Sequence, residues 1–177
     1  MTKYAKTYAG ALYDLAAEEH LEETIRNDLV SVCAMLREMP EYRKLLATPA
    51  ISKEERKKLL EEAWNGNINQ YTLNFLRMLC DGNSISEIFN CEEEFKNRYN
   101  KDRGIIEVCV TSAVALTETQ KTALLSAVEK KTGHKVILQE KTDPSIIGGL
   151  KLSAEGKEYD GTVAYHLDSI SKMLSEN

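Results

Sequence analysis

The feature that most constrains this chain is a change in hydrophobic period near Arg103-Gly104. Before it, apolar residues recur every three to four positions, the spacing of a helix face; after it, they first alternate at a period of two, the signature of a half-buried strand. A sequence that changes period once divides into two parts. The expected fold is mainly α with a small α/β part: an N-terminal six-helix bundle over residues 1–104, then a C-terminal α/β module over 105–177. At 177 residues the chain is long enough for two small cores.

Within the first part the helices are separated by short turn signals. Tyr4, Tyr8, Leu12 and Leu15, with Ala5, Ala9 and Ala16 beside them, predict an opening helix whose small residues permit close helix approach. Leu21, Ile25, Leu29, Val32, Leu36 and Met39 predict a second helix that stops before Pro40, and a short piece follows from Glu41 to Ala47. Ser52-Lys53-Glu54-Glu55 has the form of a capping box, in which the serine hydroxyl takes the Glu55 amide and the Glu55 side chain reaches back. That helix carries Leu59, Leu60, Ala63 and Trp64, and ends at Asn65-Gly66. The next holds Leu73, Phe75, Leu76, Met78, Leu79 and Cys80, a band too wide for one core-facing stripe, so it is either central or waits for a partner. Ser84-Ile85-Ser86-Glu87 reads as a second box opening a long helix through Ile88, Phe89, Phe95 and Tyr99.

In the second part, Ile106, Val108 and Val110 alternate with Glu107, Cys109 and Thr111 as a strand. Thr117 to Gln120 is a third box, leading a helix with Leu124, Leu125 and Val128 that closes at Gly133. Lys135–Lys141 and Leu150–Ser153 read as short strands, with Ala154 to Lys157 as the turn after them. Asp160-Gly161 is expected to turn the chain into a final helix with the seam Val163, Leu167, Ile170 and Leu174.

Composition excludes several classes of function. Net charge is −5, and neither part is basic: 15 Lys and Arg stand against 18 Asp and Glu through Arg103, and 8 against 10 beyond it. Lys53, Arg56, Lys57 and Lys58 are interleaved with Glu54, Glu55, Glu61 and Glu62, a solvated helix face rather than a phosphate-binding stripe, so no nucleic-acid partner is expected. No apolar run approaches the roughly 20 residues that span a bilayer, and Met1 to Lys6 opens without the apolar core of a secretory signal, so the chain is expected to stay in the cytosol. Cys33, Cys80, Cys91 and Cys109 lie far apart in apolar stretches and read as buried free thiols.

No constellation suggests catalysis. His20, His134 and His166 have no ligand or triad partner at a useful spacing, and Glu18-Glu19 and Glu92-Glu93-Glu94 are charged helix faces. Asp143-Pro144-Ser145-Ile146-Ile147-Gly148-Gly149 could cradle a phosphate only if it opened a helix, and here a strand follows; a turn with close backbone packing is the better account. No cofactor and no metal are expected.

Segments along the chain resemble a known family. Tyr8-Ala9-Gly10-Ala11-Leu12-Tyr13-Asp14-Leu15-Ala16 resembles the opening helix of the δ subunit of bacterial F-type ATP synthase, relative of the mitochondrial oligomycin-sensitivity-conferring protein. More specific are Asp143 to Gly149 with Leu150-Lys151-Leu152, then Tyr159-Asp160-Gly161-Thr162-Val163 and Leu167, which resemble that family's D-x-x-[LIV]-[LIV]-G-G…D-G-[ST]-V ending. Thr111-Ser112-Ala113 and Leu116 to Gln120 are similar to its middle segment.

The resemblance implies a non-catalytic stator subunit, on the cytoplasmic face of the membrane, that links the catalytic head to the peripheral stalk and resists rotor torque. It implies that the helical bundle grips the N-terminal helix of an α subunit and that the C-terminal module holds the end of the b-subunit stalk. It also implies that the first and fifth helices form the groove, with Tyr8, Ala11 and Leu12 on one side and Phe75, Met78 and Leu79 on the other, some of these six being core. Two other readings stay open at this point. One is a free-standing adaptor for another helical peptide, and the other a small enzyme built around Asp143, Asp160 and His166.

Overall fold

A computed structural model describes residues 3–48, 50–154 and 156–161. Its contacts divide the chain after Tyr99, inside the last turn of a helix and slightly before the change in hydrophobic period.

The N-terminal unit is helical. Helix α1 (Lys3–Glu18) buries Ala5, Ala9, Leu12, Tyr13 and Ala16, so the alanines lie where helices approach most closely. The Tyr13 ring meets Phe95 edge-on, with centroids 5.2 Å apart and planes at 71°. Gly10 leaves room for the Arg98 guanidinium, which lies across α1 and reaches Asp14 at 3.7 Å. Helix α2 (Glu22–Glu38) buries Ile25, Leu29, Val32, Cys33 and Leu36, a single stripe at helical spacing.

The ends of the predicted stripe on α2 fall outside it. Leu21 precedes the helix, and Met39 is exposed in a non-helical conformation because Pro40 follows and disfavours the helical backbone before it. Pro40 itself is the first residue of α3 (Pro40–Ala47), where its missing amide costs nothing.

Helix α4 (Lys53–Trp64) starts at the predicted capping box, with the Glu55 amide donating to Ser52 Oγ at 3.2 Å and the Ser52 amide donating to Glu55 Oε2 at 3.1 Å. The Ser52 hydroxyl donates to the same Oε2 at 2.9 Å, and it and the Ser52 amide hold the Glu55 carboxyl below its ordinary pKa. Helix α5 (Gln70–Asp81) is capped by Asn69, whose side chain accepts from the Tyr71 amide at 2.9 Å.

The box expected at Ser84–Glu87 does not form. Asn83 takes a left-handed φ of 53°, and the Ser84 amide donates back to Leu79 O at 2.8 Å. Ser84 is thereby used in closing α5, and its hydroxyl donates to Gly82 O at 3.1 Å instead of capping forward. A 3-10 turn at Ile85–Glu87 then leads into α6 (Ile88–Asp102). Ile88, Cys91, Phe95 and Tyr99 of α6 are buried, whereas Phe89 is half-buried beneath the guanidinium groups of Arg37 and Arg43.

The C-terminal unit contains β1 (Ile105–Ser112), α7 (Glu118–Thr132), β2 (Lys135–Thr142), β3 (Leu150–Ala154) and β4 (Lys157–Asp160), in sheet order β2-β1-β3-β4. Strands β1 and β2 run parallel with α7 as their crossover, and β3 and β4 continue antiparallel. The pairings Val108↔Leu138 and Val110↔Leu152 put the even-numbered residues of β1 on one face. There Val108, Val110 and Val136 form a small core against Leu124, Leu125 and Val128 of α7.

Cys109 has odd parity and points to the other face, so it is only half-buried, a departure from the expectation for all four cysteines. Strand β4 was not expected: Lys157-Glu158-Tyr159-Asp160 carries no apolar alternation, and only its pairing with β3 makes it a strand. Helix α7 is closed at both predicted ends, by the Thr117–Gln120 box and by Gly133 at φ 70°. The predicted final helix with Val163, Leu167, Ile170 and Leu174 lies outside the described residues, as does His166.

Candidate partner-binding site

The six groove residues separate into two classes. Leu12 and Phe75 are each 5% exposed and Leu79 1%, so these three belong to the core of the helical unit. Tyr8 is half-buried, while Ala11 and Met78 are exposed, Met78 by 43%. On α1, Tyr4, Tyr8, Ala11 and Leu15 form an accessible stripe at helical spacing, in which the rings of Tyr4 and Tyr8 stack at 6.1 Å and 17°. Tyr4, 64% exposed, was not among the predicted site residues, although its i,i+4 relation to Tyr8 was visible in the sequence.

The wide apolar band of α5 is mostly core. Thr72, Leu73, Phe75, Leu76, Leu79 and Cys80 are buried, and the helix packs against α2, α4 and the 3-10 turn. Met78 is left outward, next to Asn74 and Arg77, the last of which donates to Glu61 Oε1 at 2.6 Å and Asn74 Oδ1 at 2.9 Å. Helix α1 packs against α2, and its Tyr13 and Asp14 meet α6.

Two charged side chains from other helices hold the ends of α5. At its start, Asp28 of α2 accepts the Asn69 amide at 2.8 Å and the Thr72 hydroxyl at 2.9 Å through one carboxylate oxygen. At its end, Arg56 of α4, 3% exposed, donates from Nη1 to Asn83 Oδ1 at 2.8 Å and to Cys80 O at 3.1 Å, with Leu46 O of α3 at 3.5 Å. The carboxylate sits at the positive end of the helix dipole and the guanidinium at the negative end.

The polar residues weighed for chemistry are committed locally. Asp143 Oδ1 accepts the Ser145 amide at 2.9 Å and its hydroxyl at 2.7 Å, an Asx turn that holds the Asp143 carboxyl below its usual range. Gly149 takes φ 87°, and the Gly161 amide donates to Leu150 O at 3.0 Å, so both ends of the family-like segment serve the sheet. A side chain at Gly161 would place its Cβ 3.1 Å from that carbonyl oxygen. Asp160 lies 3.9 Å from Lys151 Nζ. His134 is exposed with Nδ1 2.7 Å from Thr132 O, and His20 is exposed in the turn after α1. Among the described residues no three potential metal ligands cluster, and no described helix is long and apolar enough to cross a membrane. Burial pushes the thiols of Cys33 and Cys91 up to about 12 and that of Cys80 up to about 11.

Residues 4–174 match the sequence pattern of the ATP synthase delta (OSCP) subunit family, a span that crosses both units. The chain belongs to that family. Among its relatives, ATP synthase subunit delta of Halalkalibacterium halodurans is 33% identical over 171 residues, covering 96% of this chain and 93% of the relative. The Clostridioides difficile ATP synthase subunit delta is 30% identical over 173 residues, covering 97% and 96%. A chain in the cryo-EM structure of the Toxoplasma gondii mitochondrial ATP synthase hexamer shares the fold, with a TM-score of 0.78 at 21% identity and 98% coverage of both chains. As a delta-family chain, the protein is a peripheral-stalk subunit of an F-type ATP synthase.

Proposed function

We propose that this delta-family chain is the mechanical link between the catalytic head and the stalk, with no reaction of its own. The helical unit, residues 1–104, grips the N-terminal helix of an α subunit, and the module over 105–177 holds the C-terminal region of the b subunit. In this reading the chain sits peripherally on the cytoplasmic face of the membrane, as part of the complex. Ion flow through the membrane sector drives a rotor, and the head would turn with it unless held. The task therefore calls for durable contacts.

The observation that carries this proposal is the family match over residues 4–174, which embraces both units and the turn motif at Asp143–Gly149. The accessible stripe Tyr4, Tyr8 and Ala11 and the outward Met78 support the grip, because an amphipathic helix is bound by apolar anchors on a groove. Leu12, Phe75 and Leu79 serve it from below, as the packing that keeps those anchors in place. The test is reconstitution: ATP synthase membranes stripped of their delta subunit should regain ATP-driven ion pumping when the chain is added. Cross-links should form from Tyr4 or Met78 positions to α and from the C-terminal module to b. Recovery of pumping without any cross-link from the helical unit to α would overturn the division of tasks.

A further inference from the structure

The interactions at the two ends of α5 reach beyond packing. The last turn of a helix has unsatisfied carbonyls and frays first. Met78 and Leu79 both lie in that last turn. Met78 O accepts the Gly82 amide at 3.1 Å, Leu79 O the Ser84 amide at 2.8 Å, and Cys80 O the Asn83 amide at 3.1 Å. Arg56 binds two members of this closure, Cys80 O and the Asn83 side chain, and Asn83 is the residue with left-handed φ that turns the chain. Arg56 Nη1 carries two protons for these acceptors, while its Nε is buried with no acceptor among the described residues. A buried guanidinium is costly to desolvate, so its placement against helix-end carbonyls is specific. At the opposite end Asp28 binds the amide of the capping residue itself and the buried hydroxyl of Thr72.

We infer that Asp28 and Arg56 are positioning residues for the partner-facing side of α5, which rests on the proposed grip of the α-subunit helix. Acting from α2 and α4, they fix α5 along and about its axis. Arg56 in particular keeps the last turn closed, so that Met78 is presented outward while Leu79 stays in the core.

The test uses the full chain with Arg56→Met, Arg56→Lys and Asp28→Asn, and a synthetic peptide of an α-subunit N-terminal helix as the probe. Amide hydrogen exchange and calorimetry are the readouts. Val32→Ala, a core change on α2 one turn from Asp28 that removes none of these bonds, serves as a control of comparable destabilisation. In Arg56→Met, the amides of residues 79–84 should exchange about tenfold or more faster than those of α1, and peptide affinity should fall by about tenfold, the scale of losing a charge-assisted hydrogen bond. Arg56→Lys should recover part of the affinity, and Asp28→Asn should speed exchange at residues 69–73. Val32→Ala should leave affinity unchanged at a similar drop in Tm. Equal loss of affinity in Val32→Ala, or acceleration spread evenly over the helical unit, overturns the inference. Should Arg56→Met fail to fold, Arg56→Lys and Asp28→Asn decide by the same pattern. A wild-type chain that ignores the peptide overturns the grip itself, and the exchange pattern still decides whether the ends of α5 are clamped.

Discussion

Met78 and Leu79 are neighbours on α5 with opposite environments, 43% and 1% exposed, and an aspartate placed at each position in turn should separate binding from folding. At Met78 the carboxylate can remain hydrated, so the cost to stability should stay within about 0.5 kcal/mol, as for most surface changes. If Met78 is an anchor for the α-subunit helix, its loss should weaken binding by about 2 kcal/mol, roughly 30-fold in Kd. At Leu79, removal of the side chain alone costs about 2–5 kcal/mol and the buried charge adds to it, which together approach the whole stability of a typical domain. Leu79→Asp should therefore unfold the helical unit. Circular dichroism melts and calorimetric titration with the α-subunit peptide read the two effects. Wild-type affinity in Met78→Asp would refute the groove assignment, and a melt of Met78→Asp as low as that of Leu79→Asp would refute the burial reasoning.

Phe95→Ala should lower stability by about 3–5 kcal/mol, because a fully buried ring packed on Tyr13 leaves a cavity between α1 and α6; denaturant unfolding measures it. The buried thiols of Cys33 and Cys91 ionise at about 12 in the folded chain, against an ordinary 9.0. Their folded pKa is raised, so the stability they contribute is complete below pH 9.0 and is lost as pH rises toward about 12. Unfolding curves between neutral pH and pH 11 should show that decline, and Cys33→Ala should flatten it. A fragment ending near residue 104 should bind the α-subunit peptide but not the b subunit in a pull-down, and retained b binding would contradict the proposed division of tasks.

Much of the fold was legible because local rules and global packing agree. The stripe Ile25, Leu29, Val32, Leu36 predicted α2 and is its buried face, and the boxes at Ser52 and Thr117 start the helices they predicted. The departures arose where a residue had two possible roles. Ser84 matched a box, but closing α5 claimed its backbone first. Strand β4 could not be read from Lys157-Glu158-Tyr159-Asp160, since an edge strand exposed along most of its length takes its conformation from its neighbour.

The candidate site followed the same division. Residue spacing alone shows that α1 carries an apolar, small-residue face and that α5 has more apolar surface than one stripe requires, because those are properties of periodicity along a helix. It could not sort Leu12, Phe75 and Leu79 from Tyr8, Ala11 and Met78, since all six satisfy the same periodicity. Only the tertiary structure decided that, by placing α2, α4 and α6 against particular sides of the two helices. It also brought Asp28, which no sequence pattern singles out, and Arg56, which the sequence places in a solvated charged run but the fold buries, to the ends of a helix far away in the chain. Burial and long-range hydrogen bonds depend on which helices become neighbours, and periodicity along one helix carries no record of that.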